Sequence, residues 1–375
     1  KYREMVMQPE CDQAVEDIVN DAIIMDDNAY PIEIVLDESN LSSRIKKVVR
    51  EEFDDILRML DFGNKGYEIF RRWYVDGRLY YQIVIDKESP RDGIKQLRYI
   101  DPRKIRKMRE QKKRVDPKSG ADEFPTAKEF YLYNPKGNLS TNQGVKIAPD
   151  SICHVPSGLI DSRNKMNLGY LHKAIKPLNQ LRMLEDAVVI YRLSRAPERR
   201  IFYIDVGNLP KMKAEQYLRD MMVKHKNKLV YDASTGEVRD DRRHMTMLED
   251  FWLPRREGGR GTEITTLPGG QNLGEMDDVL YFQKKLSKAL NVPVSRQEAE
   301  VNFNIGGSTE ISRDEIKFQK FINRARNKFA IMFDQLIEIH LALKGIMTRA
   351  EWQEAQNSIT YNFANDNHFE ELKQS

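Results

Sequence analysis

Near the start of the chain, Asp12, Glu16, Asp17 and Asp21 fall at a spacing that lines one side of a helix. Carboxylates gathered in this way can hold a divalent cation, and a cation so held can cut or join phosphodiesters. Neither a histidine nor a second acidic helix accompanies them, so ordinary surface charge is the plainer reading. The six histidines are scattered and form no H-E-x-x-H pair, and Cys11 and Cys153 form no C-x-x-C, which leaves zinc without support. His154 follows Cys153 in strand-like sequence, where a buried structural pair is favoured over a Cys–His nucleophile. There is no G-x-x-x-x-G-K-S/T segment and no G-x-S-x-G segment, so neither a P-loop ATPase nor a serine hydrolase of that type is indicated and no cofactor is expected. Phe70, Trp73, Tyr74, Tyr80 and Tyr81 sit where a core is expected, with base stacking the minor reading.

Charge is distributed unevenly. Arg103, Lys104, Arg106, Lys107, Arg109, Lys112, Lys113 and Arg114 form the densest basic run, read as a solvated outer face with anionic lipid as the alternative. Residues 192–260 hold 16 Lys or Arg against 11 Asp or Glu, with Arg239, Arg242, Arg243, Arg255, Arg256 and Arg260 clustered in turn-rich sequence. Such loops either dock an acidic partner surface or stay solvated and pair within an assembly. Residues 294–309 differ: Arg296 is set against Glu298 and Glu300, and Gln297, Asn302 and Asn304 add neutral hydrogen-bonding groups.

The elements that must position these residues are legible from apolar spacing. Val15, Ile18, Val19, Ala22 and Ile23 predict a helix over 9–25, opened by Pro9. Residues 31–36 alternate as a half-buried strand. Ile45, Val49, Phe53, Ile56 and Leu60 predict a helix over 42–60, and a third over 63–74 leads into an Asp76-Gly77 turn and a strand over 78–85. Strands near 97–100, 129–133 and 152–155 complete an α+β unit of about 165 residues.

From there the character changes. Ile175, Leu178, Leu181, Leu184, Val188 and Tyr191 form one helical stripe, stopped by Pro197. A mixed insertion over 199–273 carries a strand at 201–205 and a helix around 213–225. A second helix spans 275–290, with Glu275, Asp277 and Asp278 at its start and Lys284, Lys285 and Lys288 toward its end, as the macrodipole prefers. Residues 294–309, with Gly306-Gly307, read as a loop. Ser312 and Glu315 predict a capping box for a last helix of about 33 residues, or roughly 50 Å. Its stripe runs from Phe318 through Phe329 and Leu336 to Leu343.

At 375 residues the chain is long enough for two or three folding units. No apolar run approaches the roughly 20 residues that span a bilayer. Two distant cysteines argue against a disulfide framework and for a reducing compartment. A net charge of +3 gives the chain no bulk basic character, so any grip on nucleic acid is expected to be weak. The charged start and the helix-like stop read as a fragment trimmed at both ends.

Four segments carry a resemblance: Asp150–Gly158 (DSICHVPSG), Ser194–Pro210 (SRAPERRIFYIDVGNLP), Leu267–Gly274 (LPGGQNLG) and Leu290–Ser295 (LNVPVS). With the order of elements, they resemble the portal proteins of tailed bacteriophages over nearly the whole chain, and the wording is most similar to the T4-like group. The resemblance implies an α+β wing over 1–169, stem helices over 170–198 and 274–293, and a mixed clip over 199–273. It further implies a tunnel loop over 294–309, a long helix toward the crown over 310–344, and a truncated crown start over 345–375.

By the same resemblance the protein is a non-enzymatic ring of twelve copies at one vertex of the virion capsid. Such a ring conducts double-stranded DNA in packaging and ejection, docks the large terminase subunit and later neck and tail proteins, and nucleates the procapsid with major capsid protein and scaffold. Before that it resides in the host cytoplasm, with the inner membrane as one assembly surface. In this scheme Arg296, Gln297, Glu298, Glu300, Asn302 and Asn304 face DNA, and the six arginines of 239–260 meet the motor. One phosphate-binding cation per subunit, twelve times over, would give a salt slope near roughly −11, which holds DNA rather than passing it. A loop of net charge −1 with amides that re-form water-mediated contacts lowers that friction. The rival reading is a carboxylate- and metal-dependent nucleic-acid-processing enzyme built on Asp12, Glu16, Asp17 and Asp21. A third is a scaffold that binds membrane through residues 103–114.

Overall fold

The computed structural model describes residues 1–24, 30–111, 114–115, 122–123, 127–137, 144–161, 167–195, 199–225, 230–231, 238–239, 251–255, 263–267, 276–296 and 308–364. Its elements begin with α1 (Tyr2–Met5), α2 (Pro9–Ala22), β1 (Ile32–Val35), α3 (Ser43–Leu60) and α4 (Phe62–Asp76). Strands β2 (Arg78–Ile85), β3 (Ile94–Tyr99), β4 (Ile105–Gln111), β5 (Arg114–Val115), β6 (Asp122–Glu123), β7 (Ala127–Tyr133), β8 (Val145–Ile147) and β9 (Ile152–Pro156) follow. Next come α5 (Ile175–Arg195), β10 (Arg199–Asp205), α6 (Lys211–His225), β11 (Val230–Tyr231), β12 (Val238–Arg239), β13 (Phe251–Arg255), β14 (Glu263–Leu267) and α7 (Asp277–Leu290). The described chain closes with α8 (Ser308–Lys344), α9 (Arg349–Ala355) and β15 (Thr360–Phe363). The α+β class expected from the sequence is observed. The elements form two compact units, one of Lys1–Ile175 with Ser287–Ser375 and one of Lys176–Leu286.

The first unit is built on α8. Phe318, Ile322, Ala325, Phe329, Met332 and Leu336 repeat at three- and four-residue steps and, with Phe333 beside them, are all buried. Phe329 meets Phe70 and Trp73 of α4 at ring distances of 5.0 and 5.4 Å, and Phe333 meets Phe62 edge-on at 5.2 Å and Phe53 of α3 at 5.7 Å. Burying each such side chain contributes about 1.5–3 kcal/mol. Ser42 caps α3 by accepting from the Ile45 amide. Gly77 ends α4 at φ 70°, where a Cβ would come within 2.5 Å of Gly169, so only glycine fits.

Two small antiparallel sheets, β3-β2-β9 and β4-β7-β8, share a core of Tyr80, Ile100, Ile105, Tyr131 and Ile152. β1 pairs with β15 from Ile32↔Phe363 to Val35↔Thr360, so the far end of the chain returns to its beginning. In the second unit β10 is central, parallel to β13 and antiparallel to β14. Ala214 and Leu218 of α6 cover Ile204 and Val206 there, and β11 pairs with β12.

The densest basic run is largely a strand, with Arg103, Lys107 and Arg109 exposed: β4 pairs with β7 from Ile105↔Tyr133 to Gln111↔Ala127, and Lys107 is bonded to Glu129 at 2.7 Å. Two expectations are corrected. Ser312 and Glu315 do not open the last helix, which begins at Ser308; Glu315 lies inside it and binds an arginine. Cys153 and His154 are no pair. Adjacent strand residues point to opposite faces: the Cys153 thiol donates to the Met332 carbonyl, whereas the His154 ring stacks on Tyr80 at 4.4 Å.

Burial, with Lys107 and Arg78 nearby, lowers the His154 pKa to about 4. Burial also lowers that of His340, whose Nδ1 accepts from the Ile94 amide at 3.0 Å and whose Nε2–H donates to Glu52 at 2.8 Å. A histidine depressed on folding contributes stability above its unfolded pKa near 6.5, and that stability is lost as pH falls through the folded value. Thermal melts from pH 7 to pH 4 are therefore expected to show falling stability. His154→Phe, which keeps the stack on Tyr80, should remove roughly 3 kcal/mol of that dependence; an unchanged slope rejects the assignment.

Candidate functional site

Residues 294–309 are entered through a tightly shaped turn. Asn291 ends α7 at φ 63°, the left-handed conformation that an asparagine tolerates at a helix end, and the Val292 amide donates back to the Ser287 carbonyl at 3.1 Å. Pro293 follows, and the Arg296 amide donates to the Pro293 carbonyl at 3.1 Å, closing a 3₁₀ turn over Val294–Arg296. That turn aims Arg296 between two helices. Its Nη2 bonds Asp21 Oδ2 at 3.0 Å and its Nη1 bonds Asp21 Oδ1 at 3.3 Å. Its Nε reaches Glu315 Oε2 at 3.3 Å, and Nη2 also bonds Glu315 Oε1. The guanidinium lies 4.4 Å from the centre of the Phe318 ring, and Gln319 steadies Asp21 through a 3.0 Å hydrogen bond.

These groups are roughly three-quarters buried, with side-chain exposures of 22% for Arg296, 24% for Asp21 and 22% for Glu315. Burial works against the Arg296 charge, but the hydrogen bonds to Asp21 and Glu315 more than offset it and raise its pKa. Asp17, one turn before Asp21, has its pKa raised by burial against the opposing pull of Arg296. The acidic face of α2 is therefore divided among arginines: Asp12 bonds Arg71 at 2.5 Å and Asp21 bonds Arg296. Among the described residues no group of three or more His, Cys, Asp or Glu stands where it could hold a metal ion.

Arg326 closes the same end of α2 and was missed in the sequence. Its Nε donates to the Ala22 carbonyl at 2.9 Å, and its Nη2 donates to the carbonyls of Asp21 and Ala364 at 2.8 and 3.0 Å. Burial lowers its pKa to about 10. The signal was a lone arginine four residues after Ile322 and three before Phe329, on the buried arc of α8.

The remaining tunnel residues expected from sequence, Gln297, Glu298, Glu300, Asn302 and Asn304, lie outside the described residues, as do Arg242, Arg243, Arg256 and Arg260. Arg239 stands in β12. Arg255 of β13 bonds Glu263 at 2.8 Å and lies 5.8 Å from the Tyr203 ring centre, so it is already engaged within its sheet. Pairing also fills a cleft of about 730 Å³ beside α2 and α4, where Arg3 binds Asp76 and Asp101 and Arg72 binds Glu68.

Helices α5 and α7 each keep part of their apolar surface uncovered. Leu178 and Leu181 of α5 are buried, but Met183 is 73% exposed and Tyr191 45%. In α7, Val279, Leu286 and Leu290 are buried while Leu280 and Tyr281 are 46% and 61% exposed. Among the described residues no helix is long and apolar enough to cross a membrane.

Comparison with known proteins gives this geometry a context. The family model described as bacteriophage T4-like portal protein (Gp20) matches residues 1–375. The portal protein of Vibrio phage KVP40 is 42% identical over 388 residues, covering 100% of this chain and 75% of the relative. That of Salmonella phage ViI is 37% identical over 393 residues, covering 100% and 70%. Among solved structures, a chain of the native gene transfer agent virion is similar at a TM-score of 0.49 and 13% identity, covering 100% of this chain and 87% of its own.

Proposed function

This chain belongs to the bacteriophage T4-like portal proteins, and from that premise we propose that its copies close into a ring that conducts double-stranded DNA through a capsid vertex. Membership places it among structural portal proteins rather than enzymes. Two of the four carboxylates on which a metal-dependent reading would rest, Asp12 and Asp21, are paired with Arg71 and Arg296 instead.

One observation carries the ring: Met183, Tyr191, Leu280 and Tyr281 remain open to solvent on helices that bury Leu178, Leu181, Val279, Leu286 and Leu290. Burying one such side chain at a subunit boundary contributes about 1.5–3 kcal/mol. A closed ring repeats that gain at every boundary and leaves no end uncovered. In this reading twelve copies assemble, with residues 170–198 and 274–293 as the stem and 1–169 as the wing. Residues 199–273 form the clip, residues 310–344 the helix rising from the wing, and residues 345–375 the start of the crown. The clip arginines 239, 242, 243, 256 and 260 offer a basic face to the packaging motor and later to neck proteins, with Arg255 held back by Glu263. Gln297, Glu298, Glu300, Asn302 and Asn304 meet the duplex, and their net negative charge keeps the contact weak enough for DNA to slide. The ring sits at the portal vertex of the virion, beside major capsid protein and scaffold, after assembly in the host cytoplasm or on its inner membrane.

Two experiments test this. Leu280→Glu combined with Tyr281→Glu should leave the monomer's melting temperature within a few degrees of the parent while abolishing closed rings in mass photometry and in top-view images. A wild-type chain that stays monomeric at high concentration, or a double variant that still closes, removes the ring. Deleting residues 297–304, which spares Arg296, should leave ring mass unchanged but reduce DNA packaging or retention; full packaging and retention remove the segment from the mechanism.

A further inference from the structure

We propose that Arg296 is a positioning residue, which ties the root of the DNA-facing segment to α2 and α8, and is not one of the groups that touch DNA. The inference rests on the portal reading above. A guanidinium offers five N–H groups in a fixed fork. At Arg296 four of them are committed: Nε and one Nη2 hydrogen to Glu315, one Nη1 hydrogen and the other Nη2 hydrogen to Asp21. One face of the plane is occupied as well, by Phe318. What is left is a single N–H, which cannot grip a phosphate in the paired manner that makes arginine useful to nucleic acid.

The surroundings also repel an anion. Asp17, Asp21 and Glu315 outnumber Arg296 and Arg326, the two arginines at this end of α2, and Glu16 lies next to Asp17. A phosphate drawn to Arg296 would have to displace two carboxylates that are mostly shielded from water and would then face them at close range. At such a site the exchange is unfavourable, because like charges there are poorly screened.

Chain connectivity gives the clamp its purpose. Glu315 lies 19 residues after Arg296 in sequence, inside α8, so their bond joins the turn after α7 to that helix. Asp21 lies 275 residues earlier and fastens that junction to the unit's core. Holding Arg296 against two helices fixes the point from which the chain leaves this turn. Gln319, donating to Asp21, holds the acceptor in place. Lysine at this position would supply one point charge and no planar fork, so it could not pair with both carboxylates in the two-pronged manner that the guanidinium does.

The test uses the assembled full-length protein and a mixed-sequence 40-base-pair duplex as probe. Arg296→Ala, Arg296→Lys and Glu315→Gln are compared with the parent by amide hydrogen exchange and by duplex affinity across a salt series. Arg296→Ala should raise exchange over residues 290–296 and 313–320 by about tenfold or more, and Arg296→Lys should not restore it. Glu315→Gln should do the same alone and add little on top of Arg296→Ala, as partners in one interaction do. The salt slope of duplex binding should match the parent's in every variant. A slope reduced by about 0.9 for each lost contact overturns the proposal by making Arg296 a phosphate ligand, and so does unchanged exchange. Deletion of 297–304 separates the two ideas. If it leaves duplex affinity untouched, the DNA contact is wrong, while the exchange data still decide the clamp.

Discussion

Burial of one face of α8 is the constraint on which the first unit depends. Residues 318–341 supply a continuous apolar surface, and α2, α3, β9 and β15 are held by packing on it. Polar links are arranged at the margins of that surface. Arg326 reaches the end of α2, His340 and Lys344 both reach Glu52 of α3, and Gln335 exchanges hydrogen bonds with the His154 backbone of β9. Each of these would be costly to break in a dry interior, so they fix the register in which the apolar face is covered. The Arg296 clamp belongs to this set, because Glu315 and Phe318 extend the same helix face toward its beginning.

Much of the fold was legible because its helices are strongly periodic. The helix expected over 42–60 is observed over Ser43–Leu60 with its cap, and the one expected over 9–25 is observed over Pro9–Ala22. The strand β4 was hidden by composition: Arg106, Lys107, Arg109 and Glu110 carry charge on both faces, so alternation leaves no apolar trace apart from Ile105 and Met108. The pairing of β1 with β15 leaves no local signal at all, since a four-residue strand finds its partner more than 300 positions away. The start of α8 was misjudged because Ser312 and Glu315 have the right types at the right spacing, yet Glu315 serves Arg296 instead of a helix end.

The candidate site was less legible than the fold, for a physical reason. Sequence reveals that Arg296 is a cation in a polar stretch, and a cation there reads as a hand held out to DNA. Whether that hand is free depends on carboxylates 275 residues before it and 19 after it. The four acidic residues of α2 mislead in the mirror-image way: their spacing suits a metal, but arginines from α4 and from the turn after α7 reach Asp12 and Asp21. Charge pattern names the groups available, and tertiary contacts decide which are already spent.

The β1–β15 ladder has a consequence for how the molecule comes into being. A ribosome adding about 5–20 residues per second needs on the order of 15–65 seconds to travel from one strand to the other. Throughout that interval the amino-terminal half lacks its central helix and its closing strand, while residues 176–286 emerge complete. The inserted unit can thus mature during translation, whereas its host must wait for the last segments to leave the exit channel. Greasy surface on the nascent amino-terminal portion is therefore bare longest, and holding chaperones have most to do there.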